Sequence, residues 1–242
     1  SATKHLNRLI NVTPGLSGAN SVSGQDQGVS GTTFHGKSGT RLQFDGMGIQ
    51  HTNGSTGYNM NSTTVEEMVL QTSGISAEGK ADGAVMNMIP KEGSNSFRGE
   101  LQGVYTNKDM SADNLTDELK AKGLAQGSGI KRIYDAAFTL GGPIVRDKLW
   151  FFTSQREWGN AHELAGVYWN KTNGTPFYTP DLDKPADRYQ WYESHAFRGT
   201  WQASAKNKIN LFVDFSTTCQ CRSTGTIGAA PEAAQADHMK PA

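Results

Sequence analysis

The chain has 242 residues, enough for one or two domains, and 23 basic residues balance 23 acidic ones. That neutrality excludes a broad basic face for nucleic acid, and no stretch approaches the ~18 apolar residues of a membrane helix. Hydrophobic residues make up 36% and glycines number 28, a composition that points to a β protein with long loops.

The chain opens on Ser1-Ala2-Thr3-Lys4, without Met and without the apolar core of a signal peptide, so it is expected to be processed or cut from something longer. "HLNRLINVTPG" sets Leu6, Leu9 and Ile10 on one helical face, closed by Pro14-Gly15. A Gly/Ser/Gln-rich loop follows over residues 15–39. "RLQFDGMGI" predicts a short strand with Leu42 and Phe44 alternating, ended by the Asp45-Gly46 turn. "TTVEEMVLQTSG" predicts a Thr-capped helical turn with Glu66 and Glu67 in its acidic start, then a strand over Met68–Thr72. "GAVMNMIP" predicts a short apolar strand bounded by Gly83 and Pro90.

After residue 96 the pattern changes to strict alternation. Phe97, Gly99, Leu101, Gly103 and Tyr105 share one face, against Arg98, Glu100, Gln102 and Thr106, with Val104 out of pattern. Similar alternation recurs over 133–142, 148–158, 196–204 and 208–218, with Phe212 out of pattern in the last. In the third stretch Trp150 and Phe152 are read as the apolar face, with Phe151 on the opposite side. These are about five strands of ~10 residues, the length of a tilted membrane strand. "GGPIVRD" and "SAKNK" are predicted tight turns. They alternate with connections of about 25 and about 35 residues, the asymmetry of short periplasmic turns and long extracellular loops. A soluble antiparallel sheet with one wet face is the competing architecture.

"VEEMVLQTSGISAEGKADGAVMNMIPKEGSNSFRGELQGVY" resembles the end of the plug and the first barrel strand of a TonB-dependent outer-membrane receptor. "AAFTLGGPIVRDKLWFF" is similar to the second and third strands of the Oar-like branch of that family, and "LNRLINVTPGLSG" and "LQFDGMGI" to the plug's opening helix and Asp-Gly strand. The resemblance implies an α+β plug domain over residues 1–95, followed over 96–242 by antiparallel β strands of an incomplete transmembrane β-barrel. "PKEGSNS" is then the linker by which the chain leaves the lumen and enters the wall. The implied place is the outer membrane of a Gram-negative cell, with the long loops extracellular. The implied partners are the energy-coupling protein TonB, acting through a segment outside this chain, outer-membrane lipid, and an extracellular solute. Neither the family's TonB box nor its upstream carboxypeptidase-regulatory-like sandwich is recognisable here. With about five strands against the ~22 of a plugged transporter, the chain reads as a fragment.

No catalytic constellation, metal ligand set or cofactor motif stands out, so no enzyme activity is expected. The histidines fall outside H-x-x-x-H or H-E-x-x-H spacing, and no carboxylate pair of a carbohydrate-active enzyme can be placed. Cys219-x-Cys221 is read as a loop disulfide or a pair without a role, rather than a metal site. Leu115 and Leu119 in "DNLTDELKAKGL" suggest a short loop helix, and Trp150, Phe151 and Phe152 an interfacial aromatic girdle. The resemblance places His51, Asn53 and Tyr58, in "QHTNGSTGY", among candidate solute-binding residues on an outward plug loop. The alternative function is a surface binding or adhesion module that does not transport.

Overall fold

The computed structural model describes residues 13–17, 33–38, 40–49, 61–73, 84–111, 115–122, 129–221, 231–233 and 237–239. The opening helix with Leu6, Leu9 and Ile10 lies outside the described residues, as does most of the 15–39 loop. The chain forms two compact units. The first comprises residues 1–101, 137–156 and 194–215; the second comprises 102–136, 157–193 and 216–242.

Short strands dominate the first hundred residues. β1 (Leu16–Ser17), β2 (Thr33–Phe34) and β3 (Lys37–Ser38) make a small antiparallel ribbon. β4 (Arg41–Phe44), β5 (Met47–Gly48), β6 (Val65–Gln71) and β7 (Val85–Pro90) form a mixed sheet in the order β5-β4-β7-β6. β4 and β5 are joined by Asp45-Gly46, both at positive φ (52° and 81°), the two-residue turn whose twist suits a hairpin. The Asn87 side chain accepts a hydrogen bond from the Gly46 amide at 3.0 Å and fixes that turn to the neighbouring strand. β4 runs parallel to β7 with Leu42 beside Met86 and Phe44 beside Met88. These four are buried together with Leu16, Val65 and Ala84, and they form the core of this part of the chain.

One local expectation is corrected. The helical turn is Ser62–Thr64, a single 3-10 turn, and its cap is Asn61, whose side chain accepts from the Thr63 amide. Glu66 and Glu67 therefore lie in β6, not in an acidic helix start. The Asn61 side chain satisfies the turn's amide from two or three residues before the expected Thr cap, and Val65 is needed in the core.

The remaining strands form a six-stranded sheet in the order β13-β12-β11-β10-β9-β8. They are β8 (Arg98–Asn107), β9 (Ile130–Val145), β10 (Leu149–Asn170), β11 (Pro180–Ser204), β12 (Asn207–Gln220) and the short β13 (Asp237–Met239). Sequence neighbours are sheet neighbours throughout, so the sheet is a meander, and it is not closed into a barrel. A short α-helix, Asp117–Ala121, and a 3-10 turn, Lys108–Met110, sit in the β8–β9 connection, as expected for "DNLTDELKAKGL".

Strand lengths depart from expectation. β10 has 22 residues and β11 has 25, so the expected long connection between them shrinks to residues 171–179. The apolar alternation marks only the part of each strand that has one greasy face. Beyond it the strands continue in sequence that mixes polar and apolar residues on both faces, as with Glu163, Leu164, Val167 and Tyr168 of β10, where alternation carries no signal. "GGPI" belongs to β9 itself, and the tight turn is Arg146-Asp147-Lys148, with Asp147 at φ 62°.

Phe212, which is out of pattern, and Phe152, which is expected on the apolar face, both point inwards. Phe212 packs on Phe44 with ring centroids 4.7 Å apart. Phe152 is 5% exposed and shares its face with Ser154 and Arg156, so it is not part of an outward apolar face. Phe97, Leu101, Ile209, Leu211 and Phe215 are exposed, as an outward apolar face requires.

The linker between the two kinds of strand is held in place. Asn95 accepts hydrogen bonds from the Asp147 amide at 2.9 Å and from the Trp150 indole at 2.8 Å. Gly93 lies so close to β10 that a Cβ there would stand 2.3 Å from the Phe151 carbonyl oxygen. Glycine is needed there for close backbone approach, besides ending β7. Gly93→Ala is therefore expected to destabilise by about 1–3 kcal/mol. Urea unfolding of the complete protein in detergent should show the drop, and an unchanged midpoint would refute the close approach.

Candidate functional site

The most developed polar constellation of the first unit joins the small mixed sheet to β10, β11 and β12. It is built from side chains whose placement follows from strand parity. Ser154 and Arg156 on β10, Ser194 and Arg198 on β11, and Asp214 on β12 all lie on the face turned to the mixed sheet.

Asn61 occupies its centre and is fully buried. Its carbonyl oxygen accepts from the Thr63 amide (3.1 Å) and hydroxyl (2.6 Å), and its amide nitrogen donates to Ser154 (3.2 Å) and Ser194 (3.0 Å). Ser194 in turn donates to Asp214 at 2.8 Å, and the Thr63 and Ser154 hydroxyls are 2.6 Å apart. Arg156 donates to the Ser62 hydroxyl at 2.9 Å. The Asn61 amide uses both its donor hydrogens and its acceptor oxygen, as a buried amide must.

An ionic bridge lies beside this network. Arg198 is 3% exposed and reaches Asp45 at 3.2 Å and Glu92 at 2.8 Å; Lys208 reaches Glu92 at 2.6 Å. Asp45 comes from the β4–β5 turn and Glu92 from the linker, so one guanidinium ties two separate parts of the first hundred residues to β11. Burial, the largest single influence, pulls the Glu92 pKa up. The hydrogen bonds and charges of Lys208 and Arg198 outweigh it, and the net position is below the ordinary value of 4.5.

Sequence reasoning did not single out Arg198, Glu92, Asn61 or Ser194, and it explained Asp45 by its turn alone. The available signal was a full positive charge on the polar face of an aromatic-rich strand, which demands a partner. The candidates His51, Asn53 and Tyr58 lie outside the described residues. Cys219 and Cys221 form a disulfide. Among the described residues no group of His, Cys, Asp and Glu is placed to hold a metal ion.

Residues 89–171 match the outer membrane beta barrel domain. The TonB-dependent transporter Oar of Myxococcus xanthus is 24% identical over 155 residues, covering 62% of this chain and 14% of that protein. The chain is similar to TonB-dependent outer-membrane transporters. Two solved structures share the fold. The outer membrane transporter YddB from Escherichia coli aligns at TM-score 0.57 and 16% identity, over 78% of this chain and 26% of that one. A mutant ferric enterobactin receptor from Pseudomonas aeruginosa, solved with enterobactin, aligns at 0.57 and 18%, over 90% and 31%. This chain thus spans about a seventh of the curated relative and less than a third of these structures. The strands within residues 89–171 match an outer-membrane β-barrel domain, and together with the likeness to TonB-dependent transporters this places the protein in the outer membrane. Its relatives are transporters and receptors, not enzymes.

The depressed Glu92 pKa fixes how the bridge responds to acid. The contribution of Glu92 is fully present above its unfolded value of 4.5 and is lost as pH falls through the lower folded value. Protection of the Glu92 linker amides against exchange, taken relative to their intrinsic rate at each pH, should therefore fall as pH drops below 4.5 in the complete protein. Glu92→Gln should exchange fast at neutral pH and lose that step; a step of equal size in the variant would refute the assignment.

Proposed function

We propose that residues 1–95 are the plug and residues 96–242 the first wall strands of a TonB-dependent transporter, and that the joint around Asn61 and Arg198 is what energised transport opens. The carrying observation is the chemistry of that joint. Its central contacts are short hydroxyls, one carboxamide and one ionic bridge, and water can replace each of them. A net protein hydrogen bond contributes only about 1 kcal/mol, because separation exchanges it for a bond to water. An apolar joint of similar extent would resist separation in proportion to its area. Phe44 against Phe212 is an aromatic contact across it among the described residues. Such a joint holds a plug in one position at rest and lets it move when pulled, without leaving a greasy surface exposed.

The proposed partner is TonB, acting through a segment outside this chain, and the cargo is an extracellular solute too scarce or bulky for diffusion. His51, Asn53 and Tyr58 remain proposed solute contacts on a plug loop. The relatives support the transport role: one carries the name TonB-dependent transporter, and another binds enterobactin in its structure.

Ser62 is 7% exposed and held by Arg156, which makes it a reporter of opening that needs no knowledge of the cargo. In cells carrying Ser62→Cys in the complete receptor, a membrane-impermeant maleimide added to the periplasm should label that cysteine when TonB is energised. Collapse of the proton gradient should protect it. Equal labelling in both states would count against plug movement.

A further inference from the structure

The second unit holds an open cavity of about 560 Å³ that the transport reading does not use. It lies on the face of the sheet opposite the buried row. Trp158 and Asn160 of β10 are buried, so Gly159 and the cavity-lining Ala161 take the other face. The Tyr134 ring of β9 lies over Gly159, where a Cβ would stand 2.5 Å from the ring, and the Tyr134 hydroxyl donates to Glu157 at 3.0 Å. On β11, Tyr192 and Gln190 are buried, and the lining residues Asp187 and Tyr189 have the opposite parity. Tyr105 of β8, 56% exposed, lines a further side.

Three cations line the cavity, Lys108, Lys131 and Arg132, against two carboxylates, Asp109 and Asp187. Lys131 donates to Asp187 at 3.0 Å, which uses one of its three hydrogens. Lys108 stands 3.8 Å from Glu163 and is 72% exposed. Arg132 lies 5.2 Å from the centre of the Tyr134 ring and has no ionic partner among the described residues. A guanidinium held on a ring face keeps its N–H edge free for a two-pronged bond to an oxyanion.

The position of the cavity along the strands selects the oxyanion. The outward face of β8 is apolar from Phe97 through Leu101 to Tyr105, and polar residues begin at Thr106. β9 makes the same change in reverse, from Arg132 and Tyr134 to Ala136 and Phe138. An apolar band that ends in tyrosines and then in cations marks the level of lipid headgroups. This end carries the connection over 108–129, opposite the tight turn at Arg146-Asp147-Lys148, and long connections mark the extracellular side of an outer-membrane wall. Strands that complete a barrel join at the sheet edges, so they leave this face uncovered.

We propose that this cavity binds the phosphate of an outer-leaflet lipid headgroup, with the acyl chains lying along the apolar face below Tyr105. Arg132 takes the phosphate as a fork, and Lys131 and Lys108 add charge beside it. Asp187 holds Lys131 in place and spends its own charge in doing so. A free anion would have no use for the apolar face next to the cavity, and a headgroup without phosphate would leave Arg132 unanswered. The inference uses the place of these strands in the outer membrane and is independent of plug movement.

The test uses the complete receptor, purified in detergent, washed free of lipid and titrated with bisphosphorylated lipid A. Native mass spectrometry measures the lipid retained, with dephosphorylated lipid A and inorganic phosphate as comparison probes. The wild type should retain the phosphorylated lipid, release the dephosphorylated one, and keep the former in excess inorganic phosphate. Arg132→Gln should weaken retention about fivefold, the effect of one charge at a membrane surface, and Arg132→Lys should recover part of it. Ala161→Phe fills the cavity floor without changing charge and should weaken retention as well. Lys206→Gln, in the tight turn after β11, should leave it unchanged. Arg132 is exposed, so its variants should keep the wild-type Tm. Absence of retained lipid, equal retention of the dephosphorylated form, wild-type retention by Arg132→Gln or by Ala161→Phe, an equal loss in Lys206→Gln, or displacement by inorganic phosphate would each overturn the proposal. Labelling at Ser62→Cys tests transport alone, so either reading can fail without the other.

Discussion

A buried guanidinium sets the terms for the rest of the first unit. Arg198 is carried on a strand whose opposite face shows Phe197 and Trp201, apolar and exposed. Turned the other way, its charge has no water to rely on, and an unpaired charge there would cost several kcal/mol. Asp45 and Glu92 answer it from two different places, a hairpin turn and a linker. Each of those places is itself constrained. The Asp45-Gly46 turn is fixed by positive φ and by Asn87, and the linker by the Gly93 and Asn95 contacts with β10 and its turn. The bridge thus depends on four local features, two of the backbone at Asp45-Gly46 and Gly93 and two of the side chains of Asn87 and Asn95, which bring the charges together.

The same constraint explains why the face of β10 to β12 that is turned to the mixed sheet is polar although it is buried. A strand with an apolar outward face and an apolar inward face would be a core strand, and whatever lay against it would be fixed by area. Ser154, Arg156, Ser194, Arg198 and Asp214 replace area with direction. Hydrogen bonds fix position closely and exchange with water at small net cost. Phe152 and Phe212 are the exceptions on this face, and Phe212 is placed where it meets Phe44, an edge member of the small sheet's core.

Much of this architecture was legible from the residues, for identifiable reasons. The strands β4, β8 and β12 follow from alternation, and β7 from a short apolar run bounded by Gly83 and Pro90. The change of pattern after Gly93 marks where the long meander begins. What could not be read is equally specific. The lengths of β10 and β11 were hidden because their distal parts mix polar and apolar residues on both faces, and Gly166, at φ 73°, interrupts the pattern within β10. The inward turn of Phe152 and Phe212 was hidden because alternation gives two faces without saying which is inside. Hydrophobicity is a sound guide to the inside of a soluble domain and a poor one where the outward face meets lipid. The joint itself joins residues up to 153 positions apart, Asp45 and Arg198, and no local pattern reports such a pairing.

That inversion of inside and outside bears on the order in which the parts can form. The outward residues Leu211 and Phe215 gain nothing by facing the mixed sheet, and the polar face gains nothing by facing lipid. Asn61, Ser62, Asp45 and Glu92 supply partners for Ser154, Ser194, Arg156 and Arg198 on β10 and β11. The small sheet, by contrast, has a core of its own in Leu42, Phe44, Met86 and Met88, made from strands within fifty residues of one another. Contacts of that short range close at lower entropic cost than the pairing of Asp45 with Arg198. The mixed sheet is therefore the part able to form first and to serve as the template, and the inward faces of β10 and β11 are complementary to it rather than to themselves.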